Sequence, residues 1–225
     1  MRFEIILSAA ALAATLGCGG PSVPTQSAGQ PTQGPLVHRF EHAEQWAKEF
    51  DDPARDAWQK PAEIVAAMHA SAGMTVADIG AGTGYFEPYL SRTVGPSGTV
   101  LAVDIEPDMV RYLRERSARE HLDNLRAVLA DVAAPKLPAH GVDRVLIVDT
   151  WHHIPAHAGY LTKLRGALSP DGTITIVEFT LDSPHGPPRE HRIPPETLIA
   201  ELQGAGMKAE RADLSLPYQY VVVAR

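Results

Sequence analysis

Three glycines at alternate positions, Gly80, Gly82 and Gly84, follow the apolar stretch Val76-Ala77-Asp78-Ile79. A glycine loop between a strand and a helix lets a nucleotide-like ligand approach the backbone and is the usual cradle for one in an open α/β sheet. Twenty residues after Gly84, a second apolar run, Thr99-Val100-Leu101-Ala102-Val103, ends in Asp104. An acid at that place can hold ribose hydroxyls. The glycine spacing differs from the G-x-G-x-x-G of nicotinamide enzymes, which speaks against an oxidoreductase. Further on, Asp149-Thr150-Trp151-His152-His153 closes a fourth apolar run. Imidazole titrates near neutrality, so His152 or His153 is a candidate general base for a hydroxyl, a thiol or an activated carbon.

These residues need a scaffold that brings strand ends together. Apolar runs at 76–79, 99–103, 126–130, 142–149 and 173–179 read as strands, the fourth nearly all apolar and so buried on both faces. Helical patterns at 61–72, 85–94, 107–121, 156–168 and 195–205 alternate with them, and segments 208–212 and 218–224 read as closing strands. Gly95-Pro96-Ser97-Gly98 and Ser169-Pro170-Asp171-Gly172 read as turns. The alternation gives an α/β fold, in which ligands sit outside the carboxyl ends of the strands. Upstream, residues 41–50 have helical period with Trp46 and Phe50 on one face, followed by a stretch dense in polar and aromatic groups, residues 51–61.

Taken together, these motifs resemble the class I S-adenosylmethionine (SAM) dependent methyltransferases, from about Asp51 to the C-terminus. The resemblance implies a Rossmann-like seven-stranded sheet, mostly parallel with an antiparallel last strand, and helices on both faces. It implies SAM as cofactor. The residues matching its cofactor motifs are Asp78, Gly80, Ala81, Gly82, Gly84 and Tyr85, then Asp104 and Ile105, then Asp131 and Val132 in Ala130-Asp131-Val132, and Asp149. The segment holding Arg55, Trp58 and Gln59 resembles one that lies over the cofactor or substrate mouth in bacterial members. The proline-rich stretch 181–195 reads as a lid carrying His185, Arg189, His191 and Arg192, with Arg189 or Arg192 placed to pair an anionic substrate group.

The Asn/Asp-Pro-Pro-aromatic motif of exocyclic-amine methyltransferases is absent after the fourth strand, so the expected acceptor is a small molecule of another kind. No carboxylate cluster or tight ligand pattern accompanies the histidines, and no metal is expected. The alternative is a SAM-binding lipoprotein with a sensor or structural role, since a fold does not fix a function.

The chain has 225 residues, 44% of them hydrophobic, which suits one domain plus a tail. Its net charge of −7 argues against a nucleic-acid partner. Arg2 precedes a short apolar run, residues 5–16, that ends at Gly17-Cys18. The run is shorter than the roughly 20 residues of a membrane span and fits the apolar region of a secretory signal. The junction resembles a bacterial lipobox. Residues 1–18 are therefore expected to be a signal peptide, 19–37 a flexible linker rich in Gly, Pro, Ser, Thr and Gln, and 38–225 the enzyme domain. Cys18, the one cysteine, would be lipidated and would tether the domain in the cell envelope; the alternative is a cytoplasmic enzyme.

Overall fold

The computed structural model describes residues 40–225; the signal, Cys18, the whole linker and the first two residues of the expected enzyme domain lie outside the described residues. Its centre is a seven-stranded sheet in the order β3-β2-β1-β4-β5-β7-β6. The strands are β1 (Thr75–Ile79), β2 (Thr99–Asp104), β3 (Leu125–Leu129), β4 (Val142–Val148), β5 (Leu168–Phe179), β6 (Ala209–Arg211) and β7 (Gln219–Ala224). Neighbours among β1 to β5 pair parallel, and β7 runs antiparallel between β5 and β6. The expected seven-stranded, mostly parallel sheet is what the chain forms.

Strand alternation divides the core into two layers. Val145 and Ile147 of β4 face one side with Ala77, Ile174 and Ile176, and pack on Leu161 and Leu164 of α6 (His157–Ala167) and on Leu198 and Leu202 of α7 (Pro195–Gly204). Leu146 and Val148 face the other side with Val76, Val100 and Val177, against Ile64 and Val65 of α3 (Pro61–Ala67) and Leu90 and Val94 of α4 (Glu87–Val94). On α5 (Pro107–Arg119), Leu113 closes the β2–β3 end against Ala102 and Leu125. Two further helices, α1 (Ala43–Phe50) and α2 (Asp56–Gln59), precede the sheet. Because strand order reverses between β1 and β4, the crevice for a ligand falls at the carboxyl ends of those two strands.

Several boundaries differ from the sequence reading, and three of them have a clear local reason. The helix after the glycine loop starts at Glu87 rather than Tyr85, because Gly84 takes a left-handed φ of 91° and the chain turns once more, Glu87 N–H donating to Gly84 C=O. Helix α3 stops at Ala67. His69 turns left-handed, and the Arg144 guanidinium takes the exposed carbonyls of Met68 and His69. The Ser169–Gly172 turn is looped out of β5 as an irregularity in its pairing with β4 between Val142 and Arg144. Ser169 Oγ donates to Asp143 there, which anchors the bulge.

Candidate functional site

The glycine loop is held from two sides. Gly80 N–H and Ala81 N–H donate to Val103 C=O at 2.8 and 3.0 Å, and Gly82 N–H donates to Asp104 Oδ2 at 2.8 Å. Asp104 Oδ1 accepts from Glu106 N–H at 2.9 Å. Ile105 N–H also bonds this carboxylate, so Asp104 fixes the loop with backbone donors and still has acceptor capacity for a ligand hydroxyl. Gly80 sits at φ 76°, and a Cβ there would lie 2.3 Å from Thr150 Oγ1. The loop after β1 and the turn after β4 therefore touch at Gly80, a position that only glycine fits.

Next to Asp104 the surface is unusual. Among the described residues, the large hydrophobic side chains left exposed are Ile105 (45%), Leu129 (42%) and Val132 (52%), all at the carboxyl ends of β2 and β3. Asp131 is exposed beside them and pairs with Lys136 at 3.1 Å. Below the loop lies a buried acid pair. Burial, together with the charge of Asp104, pushes the Asp78 carboxyl up to about 7. Glu87 is raised well above the ordinary carboxylate value, by burial and by the charge of Asp78.

A strap formed by residues 40–60 crosses these strand ends. Phe50 lies over the loop, its ring 3.6 Å from where a Gly82 Cβ would stand, and packs with Phe40 and Trp46. Asp51 accepts from Thr83 Oγ1 at 3.0 Å and pairs with Arg116 at 2.9 Å. Arg111 pairs with Glu44 at 2.7 Å and with Asp108, which caps Ala43 N–H. Arg55 donates to Phe50 C=O and to Gln59, lies 4.1 Å from the Tyr85 ring centre, and stands 3.9 Å from Asp149. Tyr85 in turn donates to Asp56. Gln59 is fully buried and donates to Gln219, which donates to Asp149. Trp58 stacks on His185 at 5.4 Å and lies near Phe179 and Tyr218. Arg55, Trp58, Gln59, Tyr85, Asp149 and His185 are thus joined through one segment.

The two histidines after β4 have different surroundings. His152 Nδ1 lies 2.9 Å from both oxygens of Glu178 on β5, and Glu178 Oε1 also accepts His152 N–H at 3.1 Å. Burial opposes a charged imidazole here, but the hydrogen bond and charge of Glu178, with Asp149 beyond, outweigh it and raise the pKa above the ordinary histidine value. Asp149 is itself pushed up to about 7, chiefly by burial. His153 packs edge-on against Phe40 and 4.2 Å from the His152 ring. His157, four residues beyond His153, is occupied with Glu201 and Trp151 C=O. Among the described residues no group of three or more His, Cys, Asp or Glu is placed to hold a metal.

In the loop after β5, Arg192 donates through Nε to Pro187 C=O, through Nη1 to the carbonyls of Thr180, Leu181 and Ser183, and through Nη2 to His185 C=O, so its guanidinium shapes the loop and keeps one Nη2–H outside these bonds. Arg189 pairs with Asp182 at the exposed rim, and His191 sits half-buried in the short 3-10 turn beside it. Sequence reasoning gave no site role to Glu178, Gln219, Thr150, Phe50 or Leu129. Glu178 carried a signal, as the charge inside the otherwise apolar run Ile174-Thr175-Ile176-Val177-Glu178-Phe179.

Residues 70–203 match the family described as a methyltransferase domain. A ubiquinone/menaquinone biosynthesis C-methyltransferase of Hahella chejuensis is 32% identical over 110 residues, covering 48% of this chain and 44% of that protein. An arsenite methyltransferase of Halobacterium salinarum is 26% identical over 133 residues, 59% of this chain and 34% of that protein. The chain thus spans less than half the length of either curated relative. A solved structure of a SAM dependent methyltransferase from Aquifex aeolicus is 28% identical with a TM-score of 0.76, covering 80% of this chain and 96% of that one.

Proposed function

The chain belongs to the methyltransferase-domain family, and from that premise we propose that it is a SAM-dependent methyltransferase acting on a small-molecule acceptor. One observation carries the reading. At the carboxyl ends of β1 to β3, a glycine loop is pinned to Asp104, which keeps acceptor capacity for a ligand hydroxyl, and the exposed Ile105, Leu129 and Val132 lie beside it. That donor set fits SAM: an acid for the ribose, apolar faces for the adenine, and open backbone for the amino-acid end. Gly80, Ala81, Gly82, Gly84 and Tyr85 would form the cradle, with Asp78 beneath it, Asp131 at the rim and Asp149 across the crevice.

SAM, when bound, supplies a methyl group already activated by its sulfonium. The chain's own work is then to align an acceptor, exclude water and handle a proton, so positioning supplies much of the rate. The strap is built for exclusion, since Phe50, Arg55, Trp58 and Gln59 cover the crevice. His185, Arg189 and His191 belong to the loop on the acceptor side. Incubation with methyl-labelled SAM and a small-molecule extract of the native host tests the activity. Label recovered in a small molecule is the expected result; label found only in protein or nucleic acid refutes the acceptor class.

We also propose that Cys18 is lipidated and tethers the domain in the cell envelope. The support is in the sequence: a short apolar run, the Gly17-Cys18 junction and an uncharged linker behind it. No helix among the described residues is long and apolar enough to cross a membrane. Mass spectrometry of protein from the native host should find a diacylglyceryl-modified Cys18 at the mature N-terminus; an intact Met1 in a soluble fraction ends the idea.

A further inference from the structure

We propose that Glu178 is a positioning residue that sets His152 to accept a proton at Nε2, and that the acceptor is one that gives up a proton on methylation: a hydroxyl, a thiol or an enolisable carbon. The inference rests on the methyl-transfer reading and narrows its substrate class.

The geometry decides which nitrogen does what. Both Glu178 oxygens lie 2.9 Å from Nδ1, and a carboxylate can only accept, so Nδ1 carries the hydrogen. The neutral ring is then the tautomer with a bare lone pair on Nε2, and among the described residues Nε2 has no hydrogen-bond partner. The third bond of Glu178, from His152 N–H at 3.1 Å, fixes backbone and ring together. The His152 and Glu178 side chains are 4% and 1% exposed, so the pair does not exchange partners with water. A purely structural imidazole with that burial would use both nitrogens; this one is tied at Nδ1 alone. The other groups facing it are few. Asp149 lies behind it and adds negative charge, Arg55 stands 3.9 Å from Asp149, and the His153 ring is 4.2 Å away. Gln219 and Gln59 are neutral and fill the space toward α2.

In the step itself, the acceptor's X–H proton moves to Nε2 and the X electron pair forms the bond to the methyl carbon. The pair of the breaking carbon–sulfur bond stays on sulfur. The imidazolium is held against Glu178 until its proton leaves to solvent. An acceptor with no proton to lose, such as a tertiary amine or an arsenic lone pair, gives this dyad nothing to do.

The test begins without SAM. The full chain, labelled with nitrogen-15 in histidine, is titrated by NMR from pH 5 to 9 as wild type, Glu178→Gln and Glu178→Asp. The wild type should show the Nδ1–H tautomer of neutral His152 and a titration midpoint above that of free histidine. Glu178→Gln should retain the tautomer, since its amide oxygen still accepts, and lower the midpoint by at least one pH unit. Glu178→Asp should recover part of that shift. An Nε2–H tautomer in the wild type, or the same midpoint in wild type and Glu178→Gln, overturns the proposal. For the substrate class, carbon-13 methyl-labelled SAM is incubated with host small-molecule extract and the product carbon shift is read. Label on oxygen, sulfur or carbon is expected; label on a quaternary nitrogen or on arsenic overturns the assignment. Absence of any labelled product contradicts the methyl-transfer reading, while the histidine spectra still judge the dyad.

Discussion

Replacing Gly80 by alanine should damage this protein far more than the same change at Gly82, although both sit in one loop. Gly80 and Gly82 both have left-handed φ, 76° and 56°, where an L residue costs roughly 1–2 kcal/mol. Their surroundings differ. A Cβ at Gly80 would lie 2.3, 2.4 and 2.9 Å from Oγ1, Cγ2 and Cβ of Thr150, whereas at Gly82 the nearest atom is a Phe50 ring carbon at 3.6 Å, an ordinary contact. Thr150 cannot simply rotate, because Oγ1 donates to Val148 C=O at 2.8 Å. Overpacking of this kind adds roughly 1–3 kcal/mol. The Gly80→Ala variant should thus lose roughly 2–5 kcal/mol, and Gly82→Ala roughly 1–2. For a domain of this size each kcal/mol is about 2–4 °C in melting temperature, so calorimetric melts separate the two variants cleanly. Adding Thr150→Ala to Gly80→Ala removes the two shortest contacts and should restore part of the loss. The histidine spectrum of His152, two residues past Thr150, should move in Gly80→Ala and stay in Gly82→Ala. Equal melting temperatures for the two single variants would refute the claim that the β4 turn walls the cofactor loop.

Three other changes follow from the same geometry. Asp104→Asn sets an amide NH2 against one of the backbone N–H donors, leaving it unpaired at roughly 1–3 kcal/mol; SAM affinity by calorimetry should fall roughly 5- to 150-fold, and an unchanged affinity removes Asp104 from the site. Stability should fall as pH rises from 5 to 8. Asp78 and Asp149 are both pushed up to about 7 in the folded state, so the stability their protonated forms contribute is complete below the unfolded carboxyl pKa and lost as pH rises through about 7. His152, also raised, acts in the same direction. Asp149→Asn should flatten part of that fall in urea titrations, and a wild-type stability that rises over this interval contradicts the burial argument. Asp51→Ala removes the bonds from Thr83 and Arg116 that hold the strap to the loop and should cost roughly 1–3 kcal/mol, whereas Glu44→Gln breaks an exposed, solvent-screened pair and should leave the melting temperature nearly unchanged.

The fold and the segments of the candidate cofactor site were readable because both are local. Val76-Ala77-Asp78-Ile79 with its glycines is a strand, a loop and a helix start within one stretch, and Asp104 with Ile105 repeats the logic one strand later. His152 was readable as a position at a strand end. Its partner was not, because Glu178 reaches it only through the parallel register that pairs Val148 with Val177, and register between strands separated by a helix leaves no trace in spacing. The link from Gln59 to Gln219 spans 160 residues and has the same cause. Arg192 was readable as a cation in a loop, but composition does not show the five carbonyls that fold back around it. Helix α1 showed its aromatic face, Trp46 and Phe50, but not that the face would lie on Gly82.

The central claim is that the crevice at the ends of β1 to β4 is a SAM site. Titration calorimetry of the full chain with SAM tests it most directly, with NADH as the competing ligand. The account predicts saturable one-to-one binding of SAM that weakens in Asp104→Asn, with no heat from NADH. A chain that binds NADH and ignores SAM, or a SAM affinity indifferent to Asp104, would contradict it.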